Sequence, residues 1–295
     1  MNAIENILIP RTADLGGGFT VRRAIPHAER RSVGPFVFLD HMGPHRLPPG
    51  EGMDVRPHPH IALATVTWLF EGAIMHRDSL GSVQLIRPGE VNWMSAGRGI
   101  VHSERTPPDL RAAGSQVHGL QFWVGLPNDQ EESAPLFQHV GAGDLPVIRC
   151  GDAMGTLIVG NAFGMTSPVK AVSRTLFTVF TLPAGGQMSL SVEEKESALY
   201  LAEGSLDCKG AEPVAAGQLA VLKEGATLSV KALAPARFAV FGGDPIGARF
   251  VVWNFVSSSR ERIEQAKRDW VDGKFAKVPG ETEFIPLPDA LMPKP

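Results

Sequence analysis

Residues 64–72 read ATVTWLFEG, a β-branched and aromatic run that ends at a glycine. This composition predicts a strand over residues 64–70 that closes in a turn. The end of the run returns 132 residues later, where YLAEG at residues 200–204 is similar to WLFEG at residues 68–72. This internal repeat predicts that two similar β modules follow one another along the chain.

A second landmark supports this repeat. Pro88-Gly89 is followed by Gly97, and the same spacing returns as Ala216-Gly217 followed by Gly225, at an offset of 128 residues. The change of offset indicates that a loop between the two landmarks is four residues shorter in the second module. We place the linker between residues 139 and 175, which gives an N-terminal domain over 1–140 and a C-terminal domain over 141–295.

The glycine and proline content of the chain is also typical of an all-β protein. Its 32 glycines and 24 prolines separate short β-favouring segments, such as residues 119–124 and 174–180. Frequent short strands predict sandwiches or barrels. One short helix is predicted near the C-terminus, over residues 260–272, with Ser257, Ser258 or Ser259 as its cap and Gly273 just after it. We expect an irregular strap after residue 279.

Composition excludes several classes of protein. The chain has 295 residues, of which 43% are hydrophobic and 20% charged, so it can form sizeable cores. A net charge of -3 argues against direct nucleic-acid binding, and no apolar run is long enough to span a bilayer. Two cysteines, Cys150 and Cys208, cannot form a disulfide framework or a thiolate zinc cluster. Without a leader pattern, we expect a soluble, monomeric, cytoplasmic protein.

The histidines indicate where chemistry takes place. All nine lie between residues 27 and 139, and two short patterns stand out: His58-Pro59-His60 and His102-Ser103-Glu104. In a strand, residues i and i+2 point to the same face, so each pair can aim two side chains at one point. Three imidazoles and one carboxylate suit a divalent first-row metal and leave positions open for water or substrate.

Two further observations refine the predicted metal site. Pro57 and Pro59 lack backbone donors, so this segment belongs at a sheet edge or at the start of a strand. The repeat offers an internal control, because the second module has apolar residues at the four equivalent positions. These equivalents are Leu190, Val192, Val230 and Ala232. We therefore expect a packed, metal-free interior in the second module.

Several long motifs resemble those of the pirins, which are bicupins of the cupin superfamily. The motifs are RPHPHI (56–61), TVTWLFEG (65–72), HRDS (76–79), PGEVNWM (88–94) and AGRGIVHSE (96–104), with GPFVFLDH (34–41) and WNFVSSS (253–259) on either side. The resemblance implies two tandem cupin-type antiparallel β-barrels of the jelly-roll kind, with a metal in the N-terminal barrel. Its ligands in pirins match His58, His60, His102 and Glu104.

The ligand pattern is that of pirins in particular. Common single-domain cupins place a glutamate four or five residues after the H-x-H pair, where this chain has Ala64 and Thr65. In the pirin pattern, Glu104 replaces the glutamate of those cupins. The metal implied is foremost iron(II), with Mn, Cu, Co, Ni or Zn as alternatives.

The resemblance leaves two classes of function open. Several pirins show quercetin 2,3-dioxygenase activity, which implies a small phenolic or enediol substrate, O₂ and Glu104 as general base. Others are described as transcriptional cofactors or partners of metabolic enzymes, so a metal-containing interaction protein is the alternative. A structural zinc site ranks third, since the donor set has no thiolate.

Other residues receive simpler interpretations. We assign His76 and Asp78 to a solvated hairpin turn, with the mouth of the pocket as the alternative. His118 reads as a packed strand residue, and Arg98 as a brace for its loop rather than a partner of Glu104. Core packing is the first interpretation for four hydrophobic residues that could also wall the pocket, and for both cysteines. The four hydrophobic residues are Phe36, Phe38, Trp93 and Met94.

Overall fold

The computed structural model describes residues 2–15 and 19–293, and strands dominate it. The first twelve strands are β1 Ile4–Leu8, β2 Arg11–Asp14, β3 Thr20–Ile25, β4 Phe36–Leu47, β5 Asp54–His60, β6 Leu63–Glu71, β7 Ile74–Asp78, β8 Val83–Ile86, β9 Val91–Ser95, β10 Ile100–Arg105, β11 Ser115–Gly125 and β12 Leu136–Val140. The next twelve are β13 Val147–Cys150, β14 Ala153–Val159, β15 Asn161–Ala162, β16 Met165–Thr166, β17 Thr175–Leu182, β18 Gln187–Ser191, β19 Glu196–Cys208, β20 Val214–Ala215, β21 Leu219–Leu222, β22 Thr227–Gly243, β23 Phe250–Val252 and β24 Phe255–Ser257. The helices are α1 Pro108–Ala113 and α2 Arg260–Val271, and short 3₁₀ turns cover Asn128–Gln130, Ala142–Asp144 and Asp289–Leu291.

The described residues divide into two compact units that are not consecutive halves of the chain. Unit 1 comprises described residues from Met1–Ala13, Val21–His41 and Val140–Ile246, and unit 2 those from Asp14–Thr20, Met42–His139 and Gly247–Pro295. The predicted boundary at residue 140 differs from this division at both ends, since described residues of Met1–Ala13 and Val21–His41 belong to unit 1 and those after residue 246 belong to unit 2. At the N-terminal end, β1 pairs with β21. At the C-terminal end, Phe255 in β24 forms a bridge with Ile61, and α2 packs against β24.

Unit 1 is built on one antiparallel sheet. Its strands run in the order β1-β21-β19-β22-β17-β14-β13, while β18 pairs with β22 and β20 pairs with β19. Its core is apolar and includes the four positions that correspond to the predicted metal ligands. These are Leu190, Val192, Val230 and Ala232, all of them buried. The prediction of a packed interior in the second module is confirmed.

Unit 2 contains the sheet that bears the histidine motifs. Strands β5, β10, β7 and β8 form a four-stranded antiparallel sheet in that order, so β5 lies at an edge, as Pro57 and Pro59 predict. A larger sheet contains the order β12-β9-β6-β11. Strand β6 covers the strand predicted over residues 64–70 and extends it by one residue at each end.

The backbone confirms the repeat at its glycines. Gly72 has φ +85° and its equivalent Gly204 has φ +88°, while Gly89 and Gly217 have +85° and +86°. A side chain at Gly72 would collide with the backbone of Gln116, and one at Gly204 would collide with that of Pro235. Glycine is required where a left-handed turn approaches another strand so closely.

Helix α2 begins at the predicted residue and ends one residue before the predicted end. The Ser259 side chain accepts a hydrogen bond from the backbone N–H of Arg262 and caps the first turn, and Gly273 follows the helix with φ +68°. Its inner face buries Ile263 and Ala266 in a small cluster of unit 2. No helix in the described part of the chain is long and apolar enough to cross a membrane.

Candidate metal centre

The pairing of β5 with β10 places the predicted ligands together. His102 lies directly opposite His58, and Ile100 lies opposite His60. Between His102 and Glu104 the register shifts, which is a bulge of one residue in β5 next to Pro57. A bulge turns the bulged strand and re-aims its side chains, and proline is tolerated there because the ladder is already interrupted.

Three imidazoles converge in unit 2. One ligand atom from each of His58, His60 and His102 can be chosen so that all three lie within 4.8 Å of one another. The Nε2 atoms of His60 and His102 are 3.1 Å apart, and the His58 and His102 ring centroids are 4.4 Å apart. Three nitrogen donors at such mutual distances could hold one metal ion.

The outer nitrogens of two rings determine which nitrogen faces inward. The Nδ1 of His58 lies 2.9 Å from the carbonyl oxygen of Arg56, and the Nδ1 of His60 lies 2.9 Å from that of Asn254. A carbonyl oxygen can only accept, so each Nδ1 carries the proton and donates it. Each Nε2 is then left with a lone pair, the form of histidine that binds metals.

Burial keeps these imidazoles neutral. Desolvation lowers the pKa of His58 to about 4, although the Arg56 carbonyl opposes the shift. Desolvation and the neighbouring rings hold the pKa values of His60 and His102 well below the ordinary value. Neutral rings whose lone pairs meet in a buried site repel one another unless a proton or cation lies between them. The donor set therefore fits a divalent metal.

Glu104 lies beside this group but outside it. It follows His102 by two residues on β10, and the Thr67 hydroxyl is 3.4 Å from its Oε1. That hydroxyl lies closer to Gln121, whose Oε1 is 2.9 Å away. Desolvation raises the pKa of Glu104, and the nearby His76 and Thr67 only partly offset it. The structure thus groups three of the four predicted ligands and holds the fourth as a weakly bonded carboxylate nearby.

The solvated-turn interpretation of His76 and Asp78 is wrong. Both residues lie in β7, which pairs with β10, and they are 3% and 0% exposed. The Nε2 of His76 is 3.0 Å from Asp78 Oδ2, and its Nδ1 is 3.5 Å from the Nδ1 of His102. The sequence signal was the H-x-D spacing, which places both side chains on the same strand face as an H-x-H pair would.

Aromatic residues flank the cluster. Trp123 meets the His60 ring edge-to-face at 5.1 Å, and Phe137 stacks on His76 at 4.5 Å. Neither contact was predicted from the sequence. Met94 packs in a small core with Phe137, and Trp93 is buried.

The other candidates take structural roles. Phe36 packs on Phe241, and Phe38 lies under the guanidinium of Arg23, all within unit 1. These contacts agree with core packing rather than a pocket wall.

Within unit 2, His118 is buried against the ring of Phe70. Arg98 is exposed, and its backbone joins Ser133 and Arg262, which agrees with a bracing role. Cys208 is buried in the unit 1 core, and Cys150 packs against that core.

Comparison with known proteins now identifies the family. The Pirin family profile matches residues 18–124, and that of the Pirin C-terminal cupin domain matches residues 177–276. A pirin-like protein of Caulobacter vibrioides is 47% identical, covering 97% of this chain and all of that protein. A Pseudomonas aeruginosa protein provisionally named quercetin 2,3-dioxygenase is 41% identical, covering 89% of this chain and 82% of that one.

A solved structure shows the same architecture. Quercetin 2,3-dioxygenase from Acinetobacter baumannii superposes with a TM-score of 0.87 at 33% identity, covering 96% of each chain. The predicted all-β fold with two cupin domains is confirmed. The motifs, the profiles and the architecture agree, and the chain belongs to the pirin family.

Proposed function

We propose that this protein is a metal-dependent dioxygenase that acts on a quercetin-like flavonol or a similar phenolic or enediol with O₂. The observation that carries the proposal is the buried group of three histidines, two of which present an inward lone pair. Similarity to proteins named quercetin 2,3-dioxygenase supports the substrate class. We propose iron(II) as the metal, because imidazole and carboxylate donors with open positions suit iron in oxygenases.

His58, His60 and His102 would hold the ion, with Glu104 as the fourth ligand. When bound, a divalent ion supplies Lewis acidity that lowers the pKa of a substrate hydroxyl and provides the centre for O₂ chemistry. The hydrogen bonds of His58 and His60 to backbone carbonyls keep their rings oriented before anything binds. Preorganised donors of this kind avoid reorganisation during the reaction.

We assign Glu104 the role of general base. Desolvation raises the pKa of Glu104 above its ordinary value, which makes its carboxylate a stronger acceptor for the proton of a flavonol hydroxyl. Its Thr67 contact is long, so the carboxylate is not held by a strong competing donor. No ion pair between Glu104 and a lysine or arginine is present among the described residues, and such a pair would reduce its basicity.

Anaerobic reconstitution tests the proposal. Protein stripped of metal is loaded separately with Fe, Mn, Co, Ni or Cu ions, mixed with quercetin, and then exposed to O₂. We expect loss of the flavonol absorbance and release of carbon monoxide with at least iron. Stoichiometric metal binding without turnover by any of the five ions would contradict the enzyme and favour the metal-containing interaction protein.

A further inference from the structure

The outer nitrogen of His102 differs from those of the other two clustered histidines. His58 and His60 each donate to a backbone carbonyl, but the Nδ1 of His102 faces a side chain, the Nδ1 of His76, at 3.5 Å. This distance is at the long end of the hydrogen-bond range. The other nitrogen of His102, Nε2, faces His60 in the middle of the cluster. The protonation of His102 therefore depends on which nitrogen of His76 carries a proton.

Asp78 determines the protonation of His76. Its Oδ2 lies 3.0 Å from the Nε2 of His76, and its Oδ1 accepts hydrogen bonds from the backbone N–H groups of Leu80 and Ser82. Burial alone would raise the pKa of Asp78, but the hydrogen bonds from His76 and Ser82 outweigh it and hold that pKa below its ordinary value. An ionised carboxylate only accepts, so the Nε2 of His76 donates.

The remaining protons follow once a cation occupies the middle of the cluster. The cation needs the lone pair of His102 Nε2, so the proton of His102 lies on Nδ1. A His76 with its only proton on Nε2 offers a lone pair at Nδ1 that can accept this proton. Phe137 stacks on the His76 ring with the ring planes 16° apart, which holds that ring in this orientation.

We propose that Asp78 and His76 are positioning residues that set the tautomer of His102 and present its Nε2 lone pair to the metal. This inference rests on the proposed metal site and adds two residues to it. They would set the tautomer of His102, as the carbonyl of Arg56 does for His58 and that of Asn254 does for His60. Partners that orient a metal-binding histidine typically contribute 10–100-fold to metal affinity.

Asp78→Asn is the sharpest variant, because it changes one hydrogen-bonding atom and little volume. The amide oxygen can keep the two bonds from Leu80 and Ser82, which leaves the NH₂ group facing His76. His76 must then accept at Nε2 and carry its proton on Nδ1, where it opposes the Nδ1–H of His102. The same logic explains why an Asp-to-Asn change in a Ser-His-Asp triad yields the wrong histidine tautomer.

The first measurement needs no metal. Nitrogen-15 NMR of the metal-free protein at neutral pH reports which nitrogen of His76 is protonated. We expect the proton on Nε2 in the wild type, where Asp78 accepts it, and a shift toward Nδ1 in Asp78→Asn. A wild-type proton on the Nδ1 of His76 would overturn the inference without any variant. Asp152→Asn is the matched control, since Asp152 also accepts from a backbone N–H but belongs to unit 1.

The second measurement is calorimetric titration with Ni²⁺ alone. We expect Asp78→Asn to weaken binding about 10–100-fold, and Asp152→Asn to leave it unchanged. Two variants of His76 separate the effect of its hydrogen bond from the effect of its packing. His76→Phe keeps a ring against Phe137 but removes the acceptor, so it should lose a similar factor. His76→Asn restores an acceptor near the position of Nδ1 and should recover part of the affinity.

The outcomes distinguish this inference from the proposed site. Equal Ni²⁺ affinity in His76→Phe and His76→Asn, or wild-type affinity in Asp78→Asn, would overturn the positioning role. His102→Ala tests the site itself and should abolish tight binding. If His102→Ala binds like the wild type, the proposed metal site fails, and the NMR result then decides the tautomer question alone.

Discussion

The clustered imidazoles of this pirin are buried, and two of them have a fixed tautomer. Burial disfavours the imidazolium form, and a backbone carbonyl at the outer nitrogen of His58 and of His60 leaves their lone pairs facing the cluster. Lone pairs that meet in a buried site give a strong preference for a cation. Glu104 differs, since the same burial makes its carboxylate more basic. Histidine donors and a basic carboxylate therefore arise from one physical cause.

Replacing Glu104 tests its role as base. Glu104→Gln keeps the shape of the side chain and the Thr67 contact but removes the proton acceptor. If the proposed dioxygenase activity is present, kcat per bound metal should fall about 100-fold or more. Metal content is measured by elemental analysis, so that lost occupancy is not mistaken for lost chemistry. Glu71→Gln makes the same change at a carboxylate that accepts from the Gln116 amide, outside the cluster, and it should keep full activity.

The metal-free protein should lose stability as the pH falls from about 6.5 to 4. The pKa of His58 is lowered to about 4 in the folded protein, while the unfolded chain has the ordinary value near 6.5. In that range the unfolded chain binds a proton that the folded protein does not, so acid favours unfolding. The loss from His58 should reach about 3 kcal/mol at pH 4.

Urea denaturation at several pH values measures this loss. His60 and His102 shift in the same direction and should add to it. His58→Asn should reduce the slope of stability against pH. A free energy of unfolding that stays constant between pH 7 and 4.5 would contradict the prediction.

At the scale of elements, the turn from β6 to β7 connects the larger sheet to the four-stranded sheet of unit 2. Gly72 lies between these strands in a left-handed conformation and approaches the backbone of Gln116. This turn sends β7 alongside β10, where His76 meets His102. The equivalent of Gly72, Gly204, lies inside β19 with the same left-handed conformation, so this backbone feature belongs to the fold, whereas the histidines of β7 and β10 belong to unit 2.

Two glycine variants separate close approach from backbone strain. Gly72 and Gly81 have φ values of +85° and +90°, but an added Cβ collides with Gln116 at the first and meets nothing within 4 Å at the second. Gly81→Ala should cost about 1 kcal/mol from strain alone. Gly72→Ala should cost about 3 kcal/mol or more, because the strand must also move. Equal denaturation midpoints would contradict this explanation.

On the scale of the whole molecule, the C-terminal segment completes unit 2 around the ligand strands. The Asn254 carbonyl orients His60, and the backbone N–H of Ile285 donates to the carbonyl of Pro57 in β5. Glu281 accepts from Ser103 and Arg105, which flank Glu104 in β10. Both ligand strands are therefore held by residues that follow them by more than 170 positions.

Two carboxylates of this segment offer a matched test. Glu281 accepts from Ser103 and twice from Arg105, and its side chain is 10% exposed. Glu283 accepts one bond from Arg105, and its side chain is 55% exposed. Glu281→Gln should lower the free energy of unfolding by about 1–3 kcal/mol. Glu283→Gln should change it by less than about 0.5 kcal/mol, because solvent screens an exposed pair. Similar losses in chemical denaturation would contradict the bracing role of Glu281.

The sequence by itself determined the features that depend on local patterns. Strand β6, helix α2 with its Ser259 cap, the repeated glycines and the two i, i+2 ligand pairs follow from periodicity and from backbone preferences within a few residues. The apolar equivalents of the ligands in the second module could also be identified, because an internal repeat transfers position from one copy to the other.

Only the tertiary structure decided the surroundings of the ligands. Strand register and the bulge in β5 bring His102 opposite His58, and the β7–β10 pairing brings in His76 and Asp78, which looked like a solvated turn in the sequence. The Asn254 carbonyl reaches His60 across 194 positions. Such contacts depend on which strands become neighbours, and that choice comes from the packing of the whole unit rather than from any local pattern.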